Sequence, residues 1–114
     1  MAGLRDVETP VVHPDRNHVY HLYVIRLELD RLTIDRAQFI EALRAHNIGT
    51  SVHFIPVHLH PFYQKHLGYR RDDLPQAEML YDRVVSLPLY PRMTEADVYT
   101  VIDAVRHIIT TNQR

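Results

Sequence analysis

The sequence contains no cysteine, which excludes disulfides and thiolate metal sites and leaves the redox compartment unread. It has no tryptophan, a single lysine (Lys65) against twelve arginines, and only two serines, Ser51 and Ser86. Its three glycines, Gly3, Gly49 and Gly68, stand far apart, so no glycine-rich phosphate loop or dinucleotide fingerprint exists. Neither serine lies in a nucleophile-elbow context. No apolar run approaches the roughly 20 residues that a membrane-spanning helix needs, and the first residues lack the apolar stretch of a signal peptide. Thirteen basic residues against fourteen acidic ones leave a net charge of −1. No phosphate-seeking surface is implied, and nucleic acid is not an expected partner.

What is present is an ordinary globular balance. A hydrophobic share of 46% with 24% charged residues argues against disorder, collagen-like repeats and a coiled coil. A length of 114 residues suits one hydrophobic core and is too short for two. The chemical surplus is nine histidines. An enzyme built from this chain alone would therefore rest on histidine or carboxylate chemistry.

Residues 1–17, with Pro10 and Pro14 and no periodicity, read as a linker leading into the domain at residues 18–114. Val19 to Leu29 is rich in β-branched and aromatic residues and is predicted to be a central strand, with both faces covered. Within it His21 is expected as a hydrogen-bonded core histidine. Asp35 and Gln38 form a capping box that opens a helix with Phe39, Ile40 and Leu43 on its apolar face. Gly49 is expected to close that helix in the left-handed conformation. Thr50 to Ile55 reads as a second strand stopped by Pro56, and Val57 to Tyr69 as a turn region with one helical turn near Phe62 to His66.

Ala77, Leu80, Tyr81 and Val84 fall at helical spacing and predict an amphipathic helix over 75–84, with Asp72 and Asp73 placed to cap it. Val85 to Leu89 carries Pro88 and reads as an edge strand. Thr94 and Asp97 form a second capping box, with Met93 stapling onto Val98, and Val98, Val101, Ile102, Val105 and Ile109 continue the stripe of a last helix. Packing these faces predicts an α+β fold, a small three-stranded sheet, mainly antiparallel or mixed, covered by helices.

The candidate chemistry lies in the cluster His53, His58, His60 and His66. Imidazole suits zinc, copper or nickel, yet no carboxylate lies between His46 and Asp72 and the spacing matches no zinc motif. Histidine acid–base chemistry needs a group that orients the ring, and no adjacent Asp or Glu marks one. His13, His18, His46 and His107 are scattered and read as surface residues, and Arg70-Arg71 as a solvated turn. On the residues alone nothing makes this chain an enzyme by itself, and two readings stand: a freestanding α+β ligand-binding or interaction module, and a histidine-based metal-binding domain.

Four stretches in order carry a resemblance: Tyr20 to Tyr23 (YHLY), Gly49 to His58 (GTSVHFIPVH), Ser86 to Pro91 (SLPLYP) and Met93 to Val98 (MTEADV). Together they resemble the C-terminal small domain of the DegT/DnrJ/EryC1/StrS aminotransferases, from about His18 to His107. The resemblance implies the small domain of a fold-type I, pyridoxal-phosphate-dependent enzyme that aminates nucleotide-linked keto-sugars. Within the family it is closest to enzymes acting on UDP-linked 4-keto-sugars, with glutamate as donor. It further implies a cytoplasmic homodimeric parent, and a separate large domain holding the cofactor and its lysine. No catalytic or cofactor-binding residue is expected here, since Lys65 matches no catalytic motif, and no metal ligand is carried over. His53 matches a family histidine facing the cleft, Phe54 stands where many relatives have tyrosine, and His58 matches a less uniform position. These three are the expected substrate-binding residues.

Overall fold

The computed structural model describes residues 3–114. Three antiparallel strands, β1 (Val7–Glu8), β2 (Tyr23–Leu27) and β3 (Val84–Leu87), form one sheet in the order β1-β2-β3. Tyr23 pairs with Leu87 and Arg26 with Val84 on one side of β2, and Val7 pairs with Leu27 on the other. Four helices complete the α+β fold: α1 (Arg36–Ala45), the short α2 (Pro61–Leu67), α3 (Pro75–Arg83) and α4 (Glu95–Thr111).

The core lies between one face of the sheet and helices α1 and α4. Alternate residues of the strands (Val7, Ile25, Leu27, Val85 and Leu87) meet Phe39 and Leu43 of α1 and Val101, Ala104, Val105, Ile108 and Ile109 of α4. Phe39, Ile25, Leu27, Val105 and Ile109 are fully buried. Burying a side chain of this kind is worth roughly 1.5–3 kcal/mol, so these contacts dominate the stability.

Both predicted capping boxes are formed. Asp35 accepts from the Gln38 N–H while Gln38 accepts from the Asp35 N–H, and Thr94 and Asp97 do the same at α4. The end of α1 differs from expectation, because Asn47, not Gly49, takes the left-handed conformation, at φ 62°. The Asn47 N–H donates to Arg44 and the Ile48 N–H to Leu43, the paired bonds of a Schellman motif. Ile48 is thereby turned into the core, which explains why the helix stops two residues early.

Three strand expectations are corrected. The strand predicted from Val19 to Leu29 is central but confined to Tyr23–Leu27, and His21 lies outside it and exposed. Its neighbour Tyr20 is left-handed at φ 48° and stacks on His18, so the chain turns there before the sheet begins. Val7–Glu8, within the segment read as a linker, supplies the edge strand β1. Asp6 beside it is buried and accepts from the Gln113 side chain, which ties this segment to the far end of the chain.

The strand expected at Thr50 to Ile55 reduces to one bridge, Ser51 to Ser86, with both backbone bonds made. Neither flank can lengthen it. The Val84 N–H, which would serve the next pair, caps α3 by donating to Leu80, and Pro88 on the other side has no N–H to donate.

Helix α3 contributes nothing to the core cluster. It lies beside β2, held there in part by Arg83 on Glu28 at 3.1 Å. Its predicted stripe is largely uncovered: Ala77 and Leu80 are exposed, Tyr81 and Val84 half-buried. Its start is Leu74, with no side-chain cap, so Asp72 and Asp73 do not cap it, and Asp73 instead accepts from the Arg70 N–H. On α4, Val98 is exposed and Ile102 half-buried, lining an apolar cleft of about 310 Å³ with Tyr20, Leu87 and Met93. Among the described residues no helix is long and apolar enough to cross a membrane.

Candidate functional site

The uncovered stripe of α3 faces the loop that carries His53. His53, Phe54 and Pro56 form one wall of a cleft of about 260 Å³, and Ala77, Leu80, Tyr81 and Val84 form the other. The amphipathic pattern was therefore real, but the surface it covers is a cleft rather than the core.

The loop is placed by β3. After the Ser51–Ser86 bridge, His53 comes back over the same strand residue, and its Nδ1 lies 2.9 Å from Ser86 Oγ. Ser86 is buried although strand alternation turns it away from the core that holds Val85 and Leu87, because the returning loop lies over it. A hydroxyl can donate or accept, so Ser86 can satisfy Nδ1 and leave Nε2 as the nitrogen open to a ligand. Phe54 follows with its ring edge-on to His53 at 4.8 Å, and is 76% exposed. That is a large apolar ring left in solvent beside a polar imidazole. Across the cleft the wall residue Tyr81 is held in place by the Arg36 guanidinium, which sits 4.4 Å over its ring and donates to its carbonyl.

His58 is elsewhere. It lies in a short 3-10 turn, Val57–Leu59, with its side chain only 3% exposed, and its Nε2 is 3.1 Å from Glu78 Oε2 on α3. The same carboxylate oxygen accepts from the Asp72 N–H at 2.7 Å. Burial pushes the Glu78 carboxyl up, but the His58 and Asp72 hydrogen bonds and the charges of His58 and Arg71 outweigh it and hold the group below the ordinary carboxylate range. His60 is exposed and donates to the Ile55 carbonyl, and the His66 ring lies tilted against Phe62. The four clustered histidines thus have four different partners, and among the described residues no three metal-ligating side chains converge.

The orienting carboxylate that sequence inspection did not find is Glu78. It stands 20 positions from His58, and nothing local marks it as buried. Ser86 was equally silent, since a serine between two apolar strand residues reads as a solvent-facing position until a loop covers it.

The implied pyridoxal phosphate does not fit this cleft by itself. The lining has no amine and no carboxylate, and Lys65 stands exposed in the last turn of α2. What the cleft offers is an imidazole, a bare phenyl ring and an aliphatic wall, a surface for packing and orienting a ligand rather than for covalent chemistry.

The chain is similar to known proteins in sequence and in fold. The chain is 50% identical over 111 residues to uncharacterized protein MJ1066 of Methanocaldococcus jannaschii, covering 97% of this chain and 29% of that protein. It is 52% identical over 102 residues to the spore coat polysaccharide biosynthesis protein SpsC of Bacillus subtilis, covering 89% and 26%. The fold matches that of DesV from S. venezuelae, solved in complex with a ketimine intermediate, with a TM-score of 0.78 and 37% identity over 93% of this chain and 27% of that one. The chain thus spans between a quarter and a third of the length of these relatives. The DegT/DnrJ/EryC1/StrS aminotransferase family matches residues 1–106, and the chain belongs to that family.

Proposed function

We propose that this chain is the small-domain part, residues 18–114 with β1 packed against them, of a pyridoxal-phosphate-dependent sugar aminotransferase. The parent would transfer an amino group from glutamate to a nucleotide-linked keto-sugar, as a cytoplasmic homodimer. The observation that carries this reading is the 37% identity, at a TM-score of 0.78, to DesV with its ketimine intermediate. The similarity to SpsC supports a sugar destined for a polysaccharide.

In this reading the cofactor and its lysine belong to another part of the parent, and the cofactor supplies the amino-transfer chemistry there. The present residues bind and orient. His53, with Nδ1 on Ser86, presents Nε2 to a carboxylate or phosphate oxygen of the donor or substrate. Phe54 packs against the ligand without the hydroxyl donor that tyrosine would add. His58, expected at the substrate, acts from behind by holding the loop against α3.

The test is kinetic, in the full-length enzyme carrying this domain. A contact to a charged group is worth about 1.5–3 kcal/mol, so His53→Ala should lower kcat/KM by roughly ten- to a hundredfold. The absorbance of the bound cofactor should stay as in wild type. His60→Ala, on the exposed side of the loop, should be nearly silent. Equal kinetics for wild type and His53→Ala would reduce His53 to a structural residue.

A further inference from the structure

The cleft has two walls that belong to different parts of the chain, so something must hold them at a set distance. Two polar ties reach the loop from outside it. His53 is tied to β3 through Ser86, and His58, two residues beyond the wall residue Pro56, is tied to α3 through Glu78. The second tie is the more buried, with side chains 3% and 8% exposed.

Glu78 does more than meet His58. Its Oε2 also takes the Asp72 N–H at 2.7 Å, and Asp72 is left-handed at φ 74° in the turn preceding α3. That turn is closed by the Arg70 N–H donating to the Asp73 carboxylate at 2.7 Å, and the Tyr69 and His58 rings meet edge to face. One carboxylate therefore gathers the 3-10 turn after the loop, the 70–73 turn and helix α3. On the helix it flanks the stripe formed by Ala77, Leu80 and Tyr81 that lines the cleft. The charged groups bordering it on the solvent side are Asp30, Arg71, Asp72, Asp82 and Arg83, none of which hydrogen-bonds to His58.

We infer that Glu78 is a positioning residue of the candidate site: by holding His58 and the Asp72 N–H it latches the His53–Phe54 loop to α3 and fixes the width of the cleft. This rests on the reading of that cleft as the substrate-facing surface. An ionised carboxylate only accepts hydrogen bonds, so the latch requires the His58 proton on Nε2, a state with its own nitrogen spectrum.

The experiment is amide hydrogen exchange and histidine ¹⁵N spectroscopy on this chain. Wild type should show a protected His58 Nε2–H and a slowly exchanging Asp72 amide. Glu78→Ala should remove the Nε2–H signal and speed exchange at residues 53–60 and at Asp72 at least tenfold, with β2, β3 and α4 unchanged. Glu78→Gln keeps a carbonyl acceptor and should recover part of the protection. If Glu78→Ala unfolds the whole chain, Glu78→Gln decides: acceleration confined to 53–60 and Asp72 supports the latch, and equal acceleration through α4 overturns it. Unchanged loop exchange in Glu78→Ala overturns the latch whatever His53→Ala does to catalysis. A released loop in Glu78→Ala combined with a silent His53→Ala in the full-length enzyme leaves the latch standing and overturns the substrate reading.

Discussion

Ser86 and His53 are 33 positions apart, yet the serine hydroxyl lies 2.9 Å from the imidazole Nδ1 and its backbone makes both bonds of the Ser51 bridge. One buried strand residue thus receives the loop twice, by main chain and by side chain. The backbone bridge sets where the loop leaves the sheet, and the hydroxyl sets which imidazole nitrogen is free.

Ser86→Ala removes the second contact and keeps the first. A single hydrogen bond of this type contributes about 0.5–1.5 kcal/mol. Loss of kcat/KM in the full-length enzyme should therefore be about three- to tenfold, smaller than for His53→Ala. The melting temperature should fall by about 2–12 °C, at roughly 4–8 °C per kcal/mol. Kinetics matching wild type would show that the imidazole needs no hydroxyl to orient it.

The core and the cleft make opposite demands on α4. Ile109 is fully buried, so Ile109→Asp places a charge in the core and should abolish cooperative unfolding by circular dichroism. Val98 is 40% exposed, and Val98→Asp should melt within a few degrees of wild type. If the two variants behave alike, the register of α4 on the sheet is wrong.

Thr94 caps the longest helix, and its hydroxyl accepts from the Asp97 N–H at 3.1 Å. Thr94→Ala should cost about 0.5–2 kcal/mol. For a domain near this size each kcal/mol lowers Tm by roughly 4–8 °C. Thr94→Ser should restore most of the loss, and a failure to do so would trace the effect to the methyl group instead.

Acid should loosen the protein through its capping and latching carboxylates. Asp97 is held below its ordinary range by the Thr94 backbone and side chain, and Glu78 below its own by His58 and the Asp72 N–H, which outweigh its burial. A carboxyl whose folded pKa is depressed stabilises the fold at pH above its unfolded value and loses that contribution as pH falls through the folded value. The ordinary values here are 4.5 for Glu78 and 3.8 for Asp97. The urea midpoint should therefore be flat above pH 4.5 and fall below it, and Glu78→Gln should show a shallower fall. An equally steep fall in that variant would remove Glu78 from the acid response.

Elements whose signals close within one helical turn were legible locally. The Asp35–Gln38 and Thr94–Asp97 boxes are contacts three residues apart, so their chemistry is written locally and survives any tertiary arrangement. The centrality of β2 was legible from its β-branched and aromatic run, although only the face of Ile25 and Leu27 is buried and Arg26 on the other face pairs with Glu8. The last strand was read as Val85 to Leu89 but runs Val84–Leu87, ending before Pro88. His53 and Phe54 were named as candidates through a motif whose order along the chain is itself the signal.

The tertiary structure alone decided what each face meets. The stripe of α3 reads the same whether it covers a core or a cleft. Its fate followed from α1 and α4 already filling the buried face of the sheet. Val7–Glu8 carries too few residues to announce a strand, and becomes one because β2 has a free edge. Glu78 and His58 are 20 positions apart, and nothing in either neighbourhood names the other. A buried charge must find a hydrogen-bonding partner, but which one depends on the segments that packing brings together.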